Sequence, residues 1–396
     1  IRFFKNNFQH ITDIFGFAEL VKKLTTIDEG SKVLAFDEII TPLSFGSVER
    51  AQKGISPYLE YLINYVFVNS QFIADQYLKT KLQVLVLQII GNCFKAFDYQ
   101  KLIDFNYCLG INVDLLVPQK NFIKYLIENP AVYAISNLLN IDENIELLLS
   151  LIKSTNNLKI LQDTIEIEKL VLATDVLKHL CLIDDCFYDA VLPSIKEGIR
   201  STKFYYVDKS IFEFRNTKTF KDTLRRDVDL ITNLFLNLST PYMPLNTSNI
   251  EAISLIFESN DEHQMKQLFN ILQNSEDSIA IKNSFMYALD TPLESKEGFE
   301  YKIKLIKFLN DRVFSASKVV QLIGGFQLDP STTLGPSTYQ TFISSNVSVF
   351  GSLIKLVVQC LGFINEDNVP LVPMRLLTAS FELLKNMTSI DLNLLA

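Results

Sequence analysis

The sequence predicts an all-α fold of helical hairpins stacked in series, and three observations carry that prediction. Apolar residues recur at three- and four-residue spacing, as in Val349, Leu353, Leu356, Val357 and Cys360, which is the period of an amphipathic helix. Glycine and proline are scarce, 13 and 12 in 396 residues, which favours helices over a turn-rich β-sandwich. The third observation is the hairpin written into 349–386. Its two helices, each apolar on one face, are joined by the polar turn Asn365-Glu-Asp-Asn368, and such a pair needs neighbours of the same kind to cover it.

From the N-terminus, Phe8, Ile11, Ile14, Phe15, Leu20 and Leu24 mark a first helix. Residues 30–55 are less regular, because Pro42, Gly46 and Gly54 interrupt their apolar residues. Ser56-Pro57 opens the next helix as N-cap and first position, with Leu59, Leu62, Ile63, Val66 and Phe67 on its face. Leu78 to Phe97 is apolar almost all round and reads as a central helix covered on both sides. Asn121 to Glu128, Asn129-Pro130 through Leu139, and Asp142 through Ile152 are three shorter helices. A longer one presents Leu158, Leu161, Ile165, Leu172, Val176, Leu180 and Ile183 as one stripe, and Asp184-Asp185 separates it from Phe187 to Ile199. The aromatic and β-branched stretch 201–216 is the one place where the chain reads as extended or irregular.

Thr219 to Leu238 returns to helix and Pro241 and Pro244 break it. Ser248-Asn-Ile-Glu251 and Thr291-Pro-Leu-Glu294 read as capping boxes, the first before Ile253, Ile256 and Phe257, the second before Ile303, Leu305, Ile306 and Leu309. Met265 to Leu272, Ile279 to Leu289 and Val313 to Ile323 are further helices. Gly324-Gly325, Asp329-Pro330 and Gly335-Pro336 punctuate a loop, and Gly362 closes the helix that begins near Val349. Pro370 and Pro373 then lead into a helix carrying Leu376, Leu377, Phe381 and Leu384. The sum is roughly sixteen to twenty helices with hairpin spacing near that of HEAT or armadillo repeats. No strict motif repeats, so the expectation is one continuous, curved, elongated solenoid of degenerate repeats over 1–396.

Composition narrows the function. A formal charge of −8 runs against the basic excess of a nucleic-acid footprint. Cys93, Cys108, Cys181, Cys186 and Cys360 are too few and too scattered for a disulfide framework, and a reducing compartment is expected. No apolar run reaches the ~18 residues that a membrane span needs. IRFFKNNFQH does not read as a signal peptide, and without an initial Met the chain reads as a fragment of something longer.

Catalytic constellations are missing. His10, His179 and His263 are the only histidines, none in HExxH, and GxxxxGK[ST], GxGxxG and GxSxG do not occur. His179 and Cys181 with Asp184, Asp185 and Cys186 form the one metal-like cluster, but on a helix His179 and Cys181 point to different faces, so packing accounts for them. Lys218, Lys221, Arg225 and Arg226 make the best local candidate for an acidic partner. Asp222, Asp227 and Asp229 interleave them, as on a solvated face. The Asn-x-Ser/Thr sequons at Asn237, Asn246, Asn346 and Asn386 read as chance matches. No catalytic, cofactor or metal residue is assigned, and no partner-binding residue.

Several blocks carry a resemblance. They are Gly54-Ile-Ser-Pro57-Tyr58 to Tyr61-Leu-Ile63, with Cys93 to Tyr99 after it, and Gly110-Ile-Asn-Val-Asp114-Leu115 to Phe122, Tyr125 and Pro130-Ala131. Leu334-Gly-Pro336, Thr341-Phe-Ile-Ser-Ser345, Asp367-Asn368, Pro373-Met-Arg-Leu376 and Ala379 follow. In order and spacing they resemble the middle portion of a large scaffold nucleoporin, nucleoporin 192 of yeasts and nucleoporin 205 of vertebrates. The match is weakest over about 200–320. The resemblance implies an α-solenoid in the inner ring of the nuclear pore complex, at the nuclear envelope, non-catalytic and without cofactor. It implies partners among flexible linker nucleoporins that bind through short linear segments, the coiled-coil channel anchor and membrane-associated adaptor among them. Gly335, Pro336 and Arg375 are family landmarks that turn and packing geometry explain. Two alternatives share the architecture: the sister scaffold of the nucleoporin 188 type, and an importin-β-like transport receptor, against which the lack of a sustained acidic loop counts. A repeat arm of a ubiquitin ligase would need a catalytic domain elsewhere.

Overall fold

The computed structural model describes residues 62–95, 142–153, 164–186, 220–258, 277–313, 349–364 and 370–394. Among these, every regular element is a helix and none is a strand, in keeping with the all-α expectation. The first helix, the irregular stretches 30–55 and 201–216, the segments 121–139, 187–199 and 265–272, and the loop around Gly335-Pro336 lie outside the described residues. The chain divides into two compact units, Ile1–Ser154 with Leu161–Lys221, and Thr155–Ile160 with Asp222–Ala396.

In the first unit a π-helical turn, Leu62–Phe67, and a 3-10 turn, Ser70–Phe72, lead into helix α1, Gln76–Lys95. Leu62, Ile63, Val66 and Phe67 are all buried, the apolar face that the spacing marks. Helix α1 begins before Leu78 because Asp75 caps it. The Asp75 carboxylate accepts the Leu78 N–H at 3.0 Å, and its carbonyl takes the Lys79 N–H at 2.9 Å. Leu82, Val84, Leu85, Val86, Leu87, Ile89 and Ile90 are buried on all sides of α1. Each such side chain contributes about 1.5–3 kcal/mol of transfer free energy. Helix α2, Asp142–Lys153, and α1 both pack on α3, Thr164–Cys186.

Two expectations for α3 need correction. Its buried face is Ile167, Leu170, Ala173, Val176, Leu177, Leu180 and Cys181, and Leu172 sits at the margin. The helix also runs through Asp184-Asp185 to Cys186 instead of ending there. Asp is a mediocre helix former, not a breaker: it costs a few tenths of a kcal/mol, and no Gly or Pro stands nearby to stop the ladder.

The expected helix 219–238 is broken into α4, Phe220–Leu224, and α5, Val228–Leu236, the latter in the second unit. Asp227 makes the break, its carboxylate accepting the Leu230 N–H at 3.1 Å, and a 3-10 turn, Asn237–Ser239, ends the run. Helix α6, Met243–Ile256, starts at the proline expected to keep it out: Pro244 stands in its first turn, where a missing N–H is harmless. Ser248 and Glu251 therefore lie inside a helix and form no capping box. Asn246 binds the Thr240 carbonyl at 2.8 Å and shapes the turn instead.

Helix α7, Ser278–Asp290, ends with Thr291 as its C-cap, the hydroxyl donating to Tyr287 and Ala288 carbonyls. The second expected box is thus an ending, not a start. Helix α8, Lys296–Val313, is opened by Ser295, whose hydroxyl accepts the Gly298 N–H at 3.1 Å. Helix α9, Val349–Leu361, buries all five residues that predicted it, and Gly362 closes it. A Cβ there would stand 3.3 Å from the Gln359 carbonyl. Helix α10, Leu371–Leu394, buries Leu376, Leu377, Ala379, Ser380 and Leu383. Phe381, expected inside, is half exposed because it falls one step around from that face.

Helices α5, α7 and α9 touch in that order, and so do α6, α8 and α10. Within the second series the helices run parallel. Met243 lies beside Gly298 and Glu251 pairs with Lys304, so contacts advance in the same sense along α6 and α8. Glu300 with Arg375, then Asn310 with Asn386, do the same for α8 and α10. Four rings fill the centre of the unit. Phe235 is 5.5 Å from Phe257, 5.5 Å from Phe285 and 6.2 Å from Phe308, and Phe257 meets Phe308 edge-on at 5.8 Å.

Candidate functional site

Among the described residues, those that sequence chemistry singles out do not assemble into a reactive centre. Cys181 is buried and unbridged in the core of the first unit, and the side chains of Asp184, Asp185 and Cys186 lie outside the described residues. Among the described residues no group of three His, Cys, Asp or Glu is placed to hold a metal ion. Glu166 is a heavily engaged carboxylate. Burial pushes its pKa up, but Lys169, Thr80 and Gln76 donate to it and the net displacement is downward, as for a fixed structural anion. It joins α3 to α1 through Thr80 and Gln76.

The basic segment becomes a cap. Lys221 is buried and Lys218 lies outside the described residues. Arg225 donates to the Ile256 carbonyl at 2.7 Å, the Glu258 carbonyl at 2.8 Å and the Asp222 carboxylate at 2.8 Å. Its guanidinium thus meets carbonyls at the end of α6, where a cation also suits the helix dipole. Of the three described residues only Arg226 is exposed, so they form no basic face. Arg225→Ala should destabilise the second unit by about 1.5–3 kcal/mol, the range for hydrogen bonds to a charged group. Arg225→Lys should recover only part, because a single ammonium cannot serve the fork. Urea unfolding of the three proteins measures this.

Two buried polar side chains escape a reading from motifs. Tyr301 is 1 % exposed and donates its hydroxyl to the Leu238 carbonyl at 2.6 Å, and burial pushes its pKa up. Lys302, also 1 % exposed, donates to the Leu289 carbonyl at 2.7 Å and to the Thr291 carbonyl, tying α8 to the end of α7. Burial lowers its pKa to about 8, against the opposing pull of Cys360 and Asp290. Burial raises the Cys360 thiol to about 11. The signal for Lys302 was present in the sequence, since it stands between Phe299, Leu305, Ile306 and Leu309 on the apolar face of its helix.

These shifts give a pH dependence. Lys302 in the fold gives up its proton near pH 8, and in the unfolded chain near its ordinary 10.5. Between those values the unfolded state binds more protons, so stability rises with pH. Cys360 acts oppositely: its contribution is whole below 9 and is lost as pH rises through 11. Urea midpoints should therefore rise from pH 7.5 to about 9 and level off above, and Lys302→Met should remove the rise.

Among the described residues a groove of about 390 Å³ lies between α8 and α10. Ile303, Ile306, Met374 and Ala379 give it apolar walls, and Lys307, Arg375 and Glu382 stand at its edge. Arg375 is held by Glu300 at 3.2 Å across the two helices, in an exposed ion pair. No helix among the described residues is long and apolar enough to cross a membrane.

Helices stacked in two series define the class of protein, a helical framework. A family model described as nuclear pore complex scaffold, nucleoporins 186/192/205, matches residues 1–392. The chain belongs to that family, a structural one, and is a component of the nuclear pore complex at the nuclear envelope. Interaction with other nucleoporins follows from that membership. A comparison with curated proteins finds no match.

Proposed function

We propose that this chain is a stretch of one continuous α-solenoid in the inner ring of the pore, where it spaces and holds neighbouring subcomplexes by binding linker nucleoporins. The observation that carries the reading is the contact order in the second unit, α5 to α7 to α9 and α6 to α8 to α10, with parallel helices in the second series. That order is what successive hairpins produce when each buries its face on the next. Such stacks offer long surfaces suited to short helical or extended segments. The coiled-coil channel anchor and the membrane-associated adaptor are the partners that this reading expects first.

Affinity capture with the full-length protein, in the presence and absence of Ran-GTP, tests it. Linker nucleoporins should be recovered in equal yield under both conditions. Release of a varied cargo set by Ran-GTP would mean an importin-like receptor, and recovery of no nucleoporin would end the scaffold reading.

A further inference from the structure

We propose that Thr291 is an acceptor for a proline-directed protein kinase, and that a phosphate there holds open the last turn of α7. The inference does not depend on which partners the helical stack binds.

Two Thr-Pro pairs stand among the described residues, Thr240-Pro241 before α6 and Thr291-Pro292 before α8. Thr41-Pro42 and Ser56-Pro57 lie outside them. A proline-directed kinase reads an extended acceptor followed by a proline ring. Thr291 has that backbone, with φ −55° and ψ 139°, because a residue before proline is kept out of the helical region. Pro292, Glu294 and Ser295 after it are exposed, as are Tyr287 and Asp290 before it. Its hydroxyl is bound only within its own helix end, donating to the Tyr287 carbonyl at 3.0 Å and the Ala288 carbonyl at 2.9 Å. Fraying of one turn frees it, a local opening far smaller than unfolding. Thr240 is extended too, at φ −75° and ψ 157°. There the Asn246 side chain takes the hydroxyl proton and donates back to the Thr240 carbonyl at 2.8 Å. Asn246 is buried in α6, so that turn is latched by the helix it precedes.

In the transfer, a P–O bond forms to Thr291 Oγ1 as the bond from the γ-phosphorus of ATP to ADP breaks. The hydroxyl proton passes to the kinase's base. The closed turn then does not re-form as before, since the ester oxygen has no proton for the two carbonyls. The dianion also stands at the negative end of the α7 dipole, next in sequence to Asp290. Cations nearby are already engaged, Lys302 on the Leu289 and Thr291 carbonyls and Lys355 with Asp290 at 4.0 Å.

The whole chain treated with a purified proline-directed kinase and magnesium–ATP tests this. Mass spectrometry locates each phosphate, and hydrogen exchange is read before and after. Thr291 should be modified about tenfold faster than Thr240, or more. Amides in the last turn of α7 should then exchange on the order of tenfold faster, as when a helix end loses its cap. Pro292→Ala keeps the hydroxyl and should slow modification of Thr291 by about tenfold or more. Thr291→Val, treated alike, should show no change in α7 exchange on treatment. No phosphate at Thr291, modification of Thr240 at an equal or higher rate, or unchanged α7 exchange once Thr291 is modified would each overturn the proposal.

Discussion

Phe235→Ala should lower the stability of the second unit by about 3–5 kcal/mol, the range for truncating a buried aromatic side chain. Phe235 is 1 % exposed and touches three other rings, Phe257, Phe285 and Phe308, which belong to the end of α6, to α7 and to α8. Its removal opens a cavity that no single neighbour can close, because each of those rings is itself fixed by another element. Phe299 offers the contrast. It makes one edge-on contact at 5.5 Å with Phe363, which is 44 % exposed, so Phe299→Ala should cost clearly less. Urea unfolding followed by far-ultraviolet circular dichroism checks both. A Phe235→Ala loss below about 1 kcal/mol, the size of an ordinary surface or mild core change, would remove the ring cluster from the centre of the core.

Tyr301→Ala should cost a similar amount, about 3–5 kcal/mol, and Tyr301→Phe separates the polar part of that loss. The phenol donates to the Leu238 carbonyl in the 3-10 turn that ends α5. Phenylalanine keeps the ring and leaves that carbonyl buried without its donor, at a cost of about 1–3 kcal/mol. The remainder belongs to the ring. Equal losses for the two variants would place the whole effect in the hydrogen bond, and a neutral Tyr301→Phe would mean that water reaches the turn.

The elements most legible in the sequence are those decided by one strong, local pattern. Val349, Leu353, Leu356, Val357 and Cys360 predict α9 and all are buried. The all-round apolar run 82–90 predicts a covered helix, and α1 is one. Boundaries were harder, because the same residue type starts, stops or continues a helix according to its neighbours. Pro244 opens α6, Asp227 splits an apparent helix, Thr291 ends α7, and Asp184-Asp185 ends nothing. The groove was not legible. Ala379 and Arg375 belong to a motif that reads as packing, and only the register of α10 against α8 turns a small side chain into a gap. Arg225 was legible as a cation but not as a cap, since its carbonyl partners stand more than thirty residues further along the chain.

Small-angle scattering of the chain in solution tests most directly the claim that its helices stack as one solenoid. A compact particle of 396 residues has a radius of gyration of about 21 Å. The account predicts a value well above that, with a distance distribution skewed to long distances, as for a curved rod. A value near 21 Å with a symmetric distribution would contradict it.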